Sequence, residues 1–198
     1  QDEDLDGDTR AEAEEAAAKF AESLLSEEID RVDELIALAG MVEEETKIAC
    51  IVALIDKELS SEEPVLLFTE YKATQGLMFR ALEARFGRGC VGFINGDDKL
   101  IISPTPEERV EIANRNATAD AFNAGRLRFL ISTEAGGEGI DLQERCATLV
   151  HVDMPWNPMR LHQRVGRINR YGQTRPVKVY LFRNPDTAEA KIWGLLEG

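Results

Sequence analysis

From Pro64 onward the chain alternates short, continuous apolar runs with longer stretches of helical periodicity. Five runs read as strands: Val65–Thr69, Cys90–Ile94, Leu127–Ser132, Thr148–Val152 and Val177–Phe182. Val65-Leu66-Leu67-Phe68 has no polar alternation, the pattern of a strand covered on both faces. Between the runs, helices are predicted over Ala73–Phe86 with Gly87 as stop, over Pro106–Asn123 with proline in the first turn, from Pro158, and over Thr187–Leu196. The polar stretch Gly96–Thr105 reads as a long, mobile or ligand-contacting loop. Strand and helix in strict alternation predict an α/β domain with a mainly parallel sheet and helices on both faces.

The first 46 residues differ in texture. Residues 1–9 are acidic, lack apolar anchors and read as a frayed end. Ala11–Ala39 is helical in composition, with Phe20, Leu24, Leu25, Val32, Leu35, Ile36 and Ala39 near one stripe and Gly40 after it. The Asp33-Glu34 pair lies inside this acidic helix with no apolar strand before it, so it reads as solvated surface. Thr46 is placed to cap a second helix that buries Ile48, Ile51, Val52 and Ile55. The expected organisation is an acidic helical extension or linker, residues 1–46, followed by one α/β domain, residues 47–198.

Charge follows the same division. The net charge is −14, and residues 1–46 hold 17 of the 37 acids but only 3 of the 23 bases. Residues 47–198 are therefore neutral, and the acidic total does not exclude nucleic acid as a partner. Cys50, Cys90 and Cys146 lack paired spacing, which argues against a zinc site or disulfide framework and for small core residues in a reducing, cytoplasmic setting. No apolar run reaches the length of a membrane span. A chain that starts with Gln rather than Met is expected to be an excised piece of a longer one.

The densest candidate chemistry lies in His162–Gln173, His-Gln-Arg-Val-Gly-Arg-Ile-Asn-Arg-Tyr-Gly-Gln. On one continuous helix, Arg164, Arg167 and Arg170 share a face. From Met154 to Pro185 there are seven basic residues and no Asp or Glu. Clustered guanidiniums suit phosphate, which their planar forks bind with paired hydrogen bonds, the alternative being a solvated basic face. Gly166 would cost about 1 kcal/mol relative to Ala within a helix, suggesting a close approach of backbone or ligand. Thr133-Glu134-Ala135-Gly136-Gly137-Glu138-Gly139-Ile140-Asp141 follows the third predicted strand as a glycine-rich loop. In a parallel sheet such strand ends are where ligands bind. Tyr71 could stack on a base or on adenine, but an isolated Tyr at a strand end is more often a packing residue. Trp156 has the same ambiguity, and His151 and His162 are not spaced for a metal.

Gln163-Arg164-Val165-Gly166-Arg167-Ile168-Asn169-Arg170 resembles motif VI of superfamily 2 helicases and translocases. Tyr171-Gly172-Gln173 and Asp153-Met154-Pro155-Trp156-Asn157-Pro158 resemble its Swi/Snf-type branch. The Thr133 loop is similar to motif V, and Phe68-Thr69-Glu70-Tyr71 to motif IV. Asp141 stands where many Swi/Snf-type members carry Asn and is similar there to DEAD-box proteins. The likeness spans roughly residues 47–183 and implies a three-layer RecA-like lobe. It implies that Arg167 and Arg170 are arginine fingers toward ATP, that Gly139, Asp141 and Gln163 lie at the nucleotide, and that Thr69, Gly96 and Thr133 contact nucleic-acid phosphates. The implied partners are double-stranded DNA, an N-terminal RecA-like lobe of the same chain, and a nucleoprotein such as RNA polymerase, with no membrane.

No Gly-x-x-x-x-Gly-Lys-Ser/Thr phosphate loop occurs, and no predicted strand ends in an acidic pair for magnesium. ATP and Mg2+ are therefore expected to be held mainly by the other lobe, and this chain alone is expected not to turn over. Two functions remain at this stage: the second lobe of an ATP-driven translocase or helicase, or a non-catalytic lobe that binds nucleic acid or a partner as a scaffold.

Overall fold

The computed structural model describes residue 26 and residues 28–38, 45–102, 109–137, 139–155 and 157–182. The chain divides into two compact units, Gln1–Glu45 and Thr46–Gly198. In the first, residues 28–38 are helical (α1). Apart from Ser26, the rest of the expected acidic helix lies outside the described residues, as do Trp156 and the expected last helix Thr187–Leu196.

In the second unit the chain runs α2 (Thr46–Glu58), β1 (Val65–Phe68), α3 (Lys72–Phe86), β2 (Val91–Ile94), β3 (Lys99–Ile101), β4 (Val110–Ile112), α4 (Arg115–Asn123), β5 (Phe129–Ser132), α5 (Glu134–Gly137), β6 (Thr148–His151), α6 (Pro158–Val165) and β7 (Lys178–Leu181). Five strands form one sheet in the order β2-β5-β1-β6-β7, and every neighbouring pair is parallel. The strand with the most continuous apolar run, β1, is central, between β5 and β6.

Successive strand residues point to opposite faces, so the uninterrupted apolar runs feed two cores. Val65, Leu67, Phe93, Phe129, Ile131 and Val150 pack on one side with Ile48, Ile51 and Ile55 of α2 and Met78, Phe79 and Leu82 of α3. Leu66, Phe68, Ile94, Leu130 and Leu149 pack on the other with Ala119 and Phe122 of α4 and with Ile140, Cys146 and Ile168. This is the expected three-layer arrangement. Fully buried Val, Leu, Ile and Phe side chains contribute about 1.5–3 kcal/mol each, which makes the two cores the main stabilising term.

Four sequence expectations change. The stretch read as a loop from Gly96 contains β3, and the predicted helix from Pro106 contains β4, the two pairing as an antiparallel ribbon. Leu100 and Ile102 are buried while Lys99 and Ile101 are exposed, a two-residue period hidden in a polar segment. The ribbon lies so close to α3 that a Cβ on Gly76 would stand 2.3 Å from the Ile101 carbonyl oxygen. Helix α4 starts only at Arg115, because the Asn114 side chain accepts from the Ala117 N–H at 3.1 Å and fixes the first turn there.

The arginine helix is also shorter than expected. It ends at Val165, and Gly166 is its cap at φ −60°, with no foreign backbone against it. Tight turns follow, with Arg167 N–H donating to the Arg164 carbonyl and Ile168 N–H to that of Val165, each at 3.1 Å, and they drive Ile168 fully into the second core. Lastly, Cys146 is buried as expected, but Cys90 is half-buried and Cys50 is exposed on α2. Among the described residues no helix is long and apolar enough to cross a membrane.

Candidate functional site

Because the sheet is parallel, the carboxyl ends of its strands share one edge. In spatial order that edge carries Asn95-Gly96-Asp97 after β2, Thr133-Glu134 after β5, Thr69-Glu70-Tyr71 after β1 and Val152-Asp153 after β6. The ladder runs past the strands themselves. Thr133 N–H donates to the Ile94 carbonyl (3.0 Å), Thr69 N–H to Ser132 (3.1 Å) and Val152 N–H to Phe68 (2.9 Å). The edge is therefore rigid backbone, not free loop.

A cleft of about 600 Å³ opens on this edge, with Gly96, Thr133, Tyr71, Lys72, Glu134 and Arg160 among its walls. Gly96 and Thr133, two of the three residues expected at nucleic acid, thus meet in one concavity. Thr69 does not face it. Its side chain is fully buried, and its hydroxyl donates to Asp153 Oδ2 at 2.5 Å, while Glu70 N–H donates to the same oxygen at 2.8 Å. Tyr71, read from the sequence first as a packing residue, is instead 61% exposed and lines the cleft. Lys72 is ion-paired with Asp97 across it.

The glycine-rich segment is not a loop but one helical turn, α5, closed by Gly137 N–H on the Thr133 carbonyl at 3.0 Å. Gly136 is needed for close approach: an added Cβ would lie 2.6 Å from the Asn95 nitrogen. Asn95 is in turn locked, its amide donating to Gln75 Oε1 (3.0 Å) and to the Lys99 carbonyl (2.8 Å) while Oδ1 accepts from Asp97 N–H (3.1 Å). The loop that presents Gly96 is thereby held from both sides.

The three arginines of the 164–170 series part company. Arg164 points inward and is 2% exposed. Its Nε donates to Glu134 Oε1 at 3.1 Å, its Nη1 to the Asp153 carbonyl at 3.0 Å and its Nη2 to Asp153 Oδ1 at 3.3 Å, with Glu70 Oε1 3.8 Å away. Nη1 also lies 3.3 Å from His151 Nδ1. A guanidinium only donates, so Nδ1 accepts and the imidazole proton resides on Nε2. Among the described residues that Nε2 is buried without a partner. Burial, and secondarily the Arg164 charge, push the His151 pKa down to about 3. His151 is thus a neutral structural acceptor, and Arg164 ties α6 to the ends of β1, β5 and β6.

Arg167 is half-buried and lines a small depression with Gln163, Arg160 and Glu134. Among the described residues it has no carboxylate partner. Arg170 is ion-paired with Asp141, both side chains being substantially exposed. Asp141 and Gly139 line a separate concavity of about 330 Å³ with Asn116, Asp120 and Asn123. The five residues expected at the nucleotide therefore fall in two groups, Gln163 with Arg167 and Gly139 with Asp141 and Arg170.

Sequence reasoning missed the carboxylates. Glu70, Glu134 and Asp153 each stand at a different strand end and converge on α6, so the acid-free stretch from Met154 is compensated from elsewhere in the chain. Asp153 was visible only as part of a family signature, and Glu134 only as a polar residue among glycines.

The parallel order, the strand-end segments and the helix that carries Gln163 and Arg164 form one continuous unit, and the model of the helicase conserved C-terminal domain matches it over residues 46–172. The chain belongs to this helicase family. A Bacillus subtilis protein named as an uncharacterized ATP-dependent helicase, YqhH, is 37% identical over 167 residues, 84% of this chain and 27% of the relative. A Caenorhabditis elegans homolog of the transcriptional regulator ATRX is 28% identical over 183 residues, 88% of this chain and 13% of its own length. The helicase C-terminal domain chain thus spans about a quarter or less of these relatives. Among solved structures, the C-terminal part of the Fun30 ATPase domain shares the fold at a TM-score of 0.59, with 22% identity over 77% of this chain and 45% of that one. The yeast DEAD-box splicing factor Prp28 does so at 0.56, with 17% identity over 76% of this chain and 29% of its own. These neighbours identify the domain as RecA-like.

Proposed function

We propose that this domain is the second motor lobe of an ATP-dependent translocase or helicase acting on double-stranded DNA, and that it works against an N-terminal RecA-like lobe. The relatives named as an ATP-dependent helicase and as a transcriptional regulator support that class. The observation that carries the reading is the division of the sheet edge: a wide cleft with Gly96 and Thr133 beside a depression lined by Gln163 and by Arg167, whose guanidinium has no carboxylate partner among the described residues.

The donor set fits a polyphosphate. Arg167 offers a planar fork that no carboxylate neutralises among the described residues, and Gln163 is exposed next to it. It does not fit a metal: among the described residues no group of three or more His, Cys, Asp or Glu is placed to hold one. Bound ATP supplies the phosphoanhydride whose hydrolysis drives the cycle. On this chain, Arg167 meets the phosphates directly. Arg170 is parked on Asp141 and exchanges that partner for the phosphate when the lobes close, which leaves Asp141 to accept from the ribose. Two fingers delivered only on closure add positive charge where the transition state gains negative charge.

A scaffold reading has one observation in its favour, the same Arg170–Asp141 pair, which is what a merely structural arginine would make. Intact protein carrying Arg170→Ala separates the two. As a finger, Arg170 affects turnover far more than ATP affinity, with DNA-stimulated hydrolysis falling by roughly 10³–10⁵ and little rescue by Arg170→Lys. Near-normal turnover with a lowered melting temperature would instead assign it to the scaffold. The isolated 198-residue chain is expected to hydrolyse no ATP under either reading.

A further inference from the structure

Arg160 stands on the first turn of α6, and its side chain is 46% exposed. It lines both the wide cleft beside Gly96 and Thr133 and the small depression beside Arg167. Two carboxylates hold it, Glu70 Oε1 at 3.1 Å and Glu134 Oε2 at 3.0 Å, and both reach the same nitrogen, Nη1. Among the described residues, the Nε–Nη2 edge of the guanidinium has no partner. That edge is the one that binds a phosphate with two parallel hydrogen bonds.

The holder is itself fixed. Glu134 gives its other oxygen to Arg164 at 3.1 Å, and Arg164 is buried. An exposed arginine ordinarily spends rotamer entropy when it binds. Here much of that freedom is already removed, with the fork left open. The same carboxylates set a limit. The cleft wall carries the cations Lys72 and Arg160 against Glu70, Asp97 and Glu134, and Lys72 is already matched by Asp97. With more acid than base, the cleft binds phosphate through aimed donors and not through a general positive field.

The geometry assigns Arg160 as a nucleic-acid phosphate-binding residue, oriented by Glu70 and Glu134 and weakened by their charge. This rests on the reading of the wide cleft as the nucleic-acid track. It adds a contact and a means of regulating it: the lobe is tuned to a moderate grip, as a motor that must release its track requires.

The test uses the 198-residue chain, a fluorescein-labelled 20-base-pair DNA duplex read by anisotropy across a salt series, and a fluorescent ATP analogue as second ligand. Arg160→Met should weaken DNA binding about fivefold and lower the slope of log affinity against log salt by roughly 0.9, the loss of one phosphate contact. Arg160→Lys should fall between, keeping charge without the fork. Glu70→Gln keeps an acceptor for Nη1 but removes a negative charge, and should tighten DNA binding roughly fourfold at low salt. In the Arg160→Met background the same Gln should have a smaller effect. Any loss of ATP-analogue binding with Arg160→Met should be smaller than its loss of DNA binding.

If wild type binds duplex with a salt slope and Thr133→Val weakens it while Arg160→Met does not, the assignment of Arg160 falls and the track reading stands. Weaker DNA binding by Glu70→Gln, or an Arg160→Met effect confined to the ATP analogue, also overturns it. If wild type shows no salt-dependent binding at all, the track reading fails and takes this assignment with it. Melting temperatures should stay within about 2 °C of wild type, since the Arg160 pairs are half-exposed.

Discussion

Arg164→Met tests whether the buried arginine or the sheet edge itself holds α6 in place. Arg164 is among the largest fully buried side chains, and its guanidinium lies 5.6 Å from the Phe68 ring centroid, so Met fills much of the volume. The charge is not replaced. Glu134, Asp153 and, at longer range, Glu70 lose their common partner. Removing one member of a buried ionic cluster costs about 3–5 kcal/mol, mostly for the charges left behind. The three carboxylates are 17–27% exposed and partly rehydrate, which argues for the lower end, about 3 kcal/mol. For a unit of this size that corresponds to a fall in Tm of roughly 6–12 °C. Urea denaturation of the 198-residue chain, followed by circular dichroism, reads the change directly. The internal control is Arg170→Met, whose exposed pair with Asp141 is worth no more than about 1 kcal/mol. Equal, small losses for both would refute the hub, because they would mean that the carboxylates need no buried cation.

Two further outcomes are expected. His151 has its pKa lowered to about 3 by burial and then by Arg164, against an unfolded value near 6.5, so only the unfolded chain takes up a proton between those values; stability should be undiminished by this group above pH 6.5 and fall below it by at most ~1.4 kcal/mol per pH unit, and chemical denaturation at pH 7, 6 and 5 should show a shallower slope for His151→Gln. Cys50 is exposed while burial raises the Cys146 thiol to about 11, so a thiol reagent on the native chain should modify Cys50 first and Cys146 only on unfolding; early labelling of Cys146 would contradict the packing of the second core.

A segment's own sequence decides its structure where it is a strand of the sheet. All five strands of the sheet fall in the runs read as strands, and the lack of alternation in β1 correctly implied cover on two faces, whereas β7, with Lys178 exposed, is only partly covered. The ribbon was missed because its signal is two residues, Leu100 and Ile102, inside a stretch otherwise typical of a loop. The late start of α4 was missed because Pro106 looks like a helix start, whereas the capping hydrogen bond of Asn114 decides the matter eight residues on. Candidate site residues were legible as to edge, since strand ends are fixed by strand identity. Their orientation was not: Thr69 follows β1 as expected, yet its hydroxyl turns inward to Asp153.

The arginines show why orientation escapes a one-dimensional reading. Spacing by three places Arg164, Arg167 and Arg170 on one face only if the helix continues, and here it stops at Val165. Tight turns follow Gly166, and Ile168 is fully buried in the second core. The three guanidiniums then reach three environments: a buried cluster, an open depression and an exposed pair. Absence of acid nearby in sequence suggested a basic face, but Lys178 is matched by Glu63, Arg160 by Glu70 and Glu134, and Arg170 by Asp141, each from a distant segment. Among the described residues, Arg167 is the one arginine from 160 to 170 with neither a carboxylate partner nor full burial. Among the described residues, a rigid strand-end edge that carries one guanidinium without a carboxylate and one partly committed fork is suited to gripping phosphate in particular places. It is not suited to coating itself with nucleic acid, and that difference is what a motor lobe needs in order to let go.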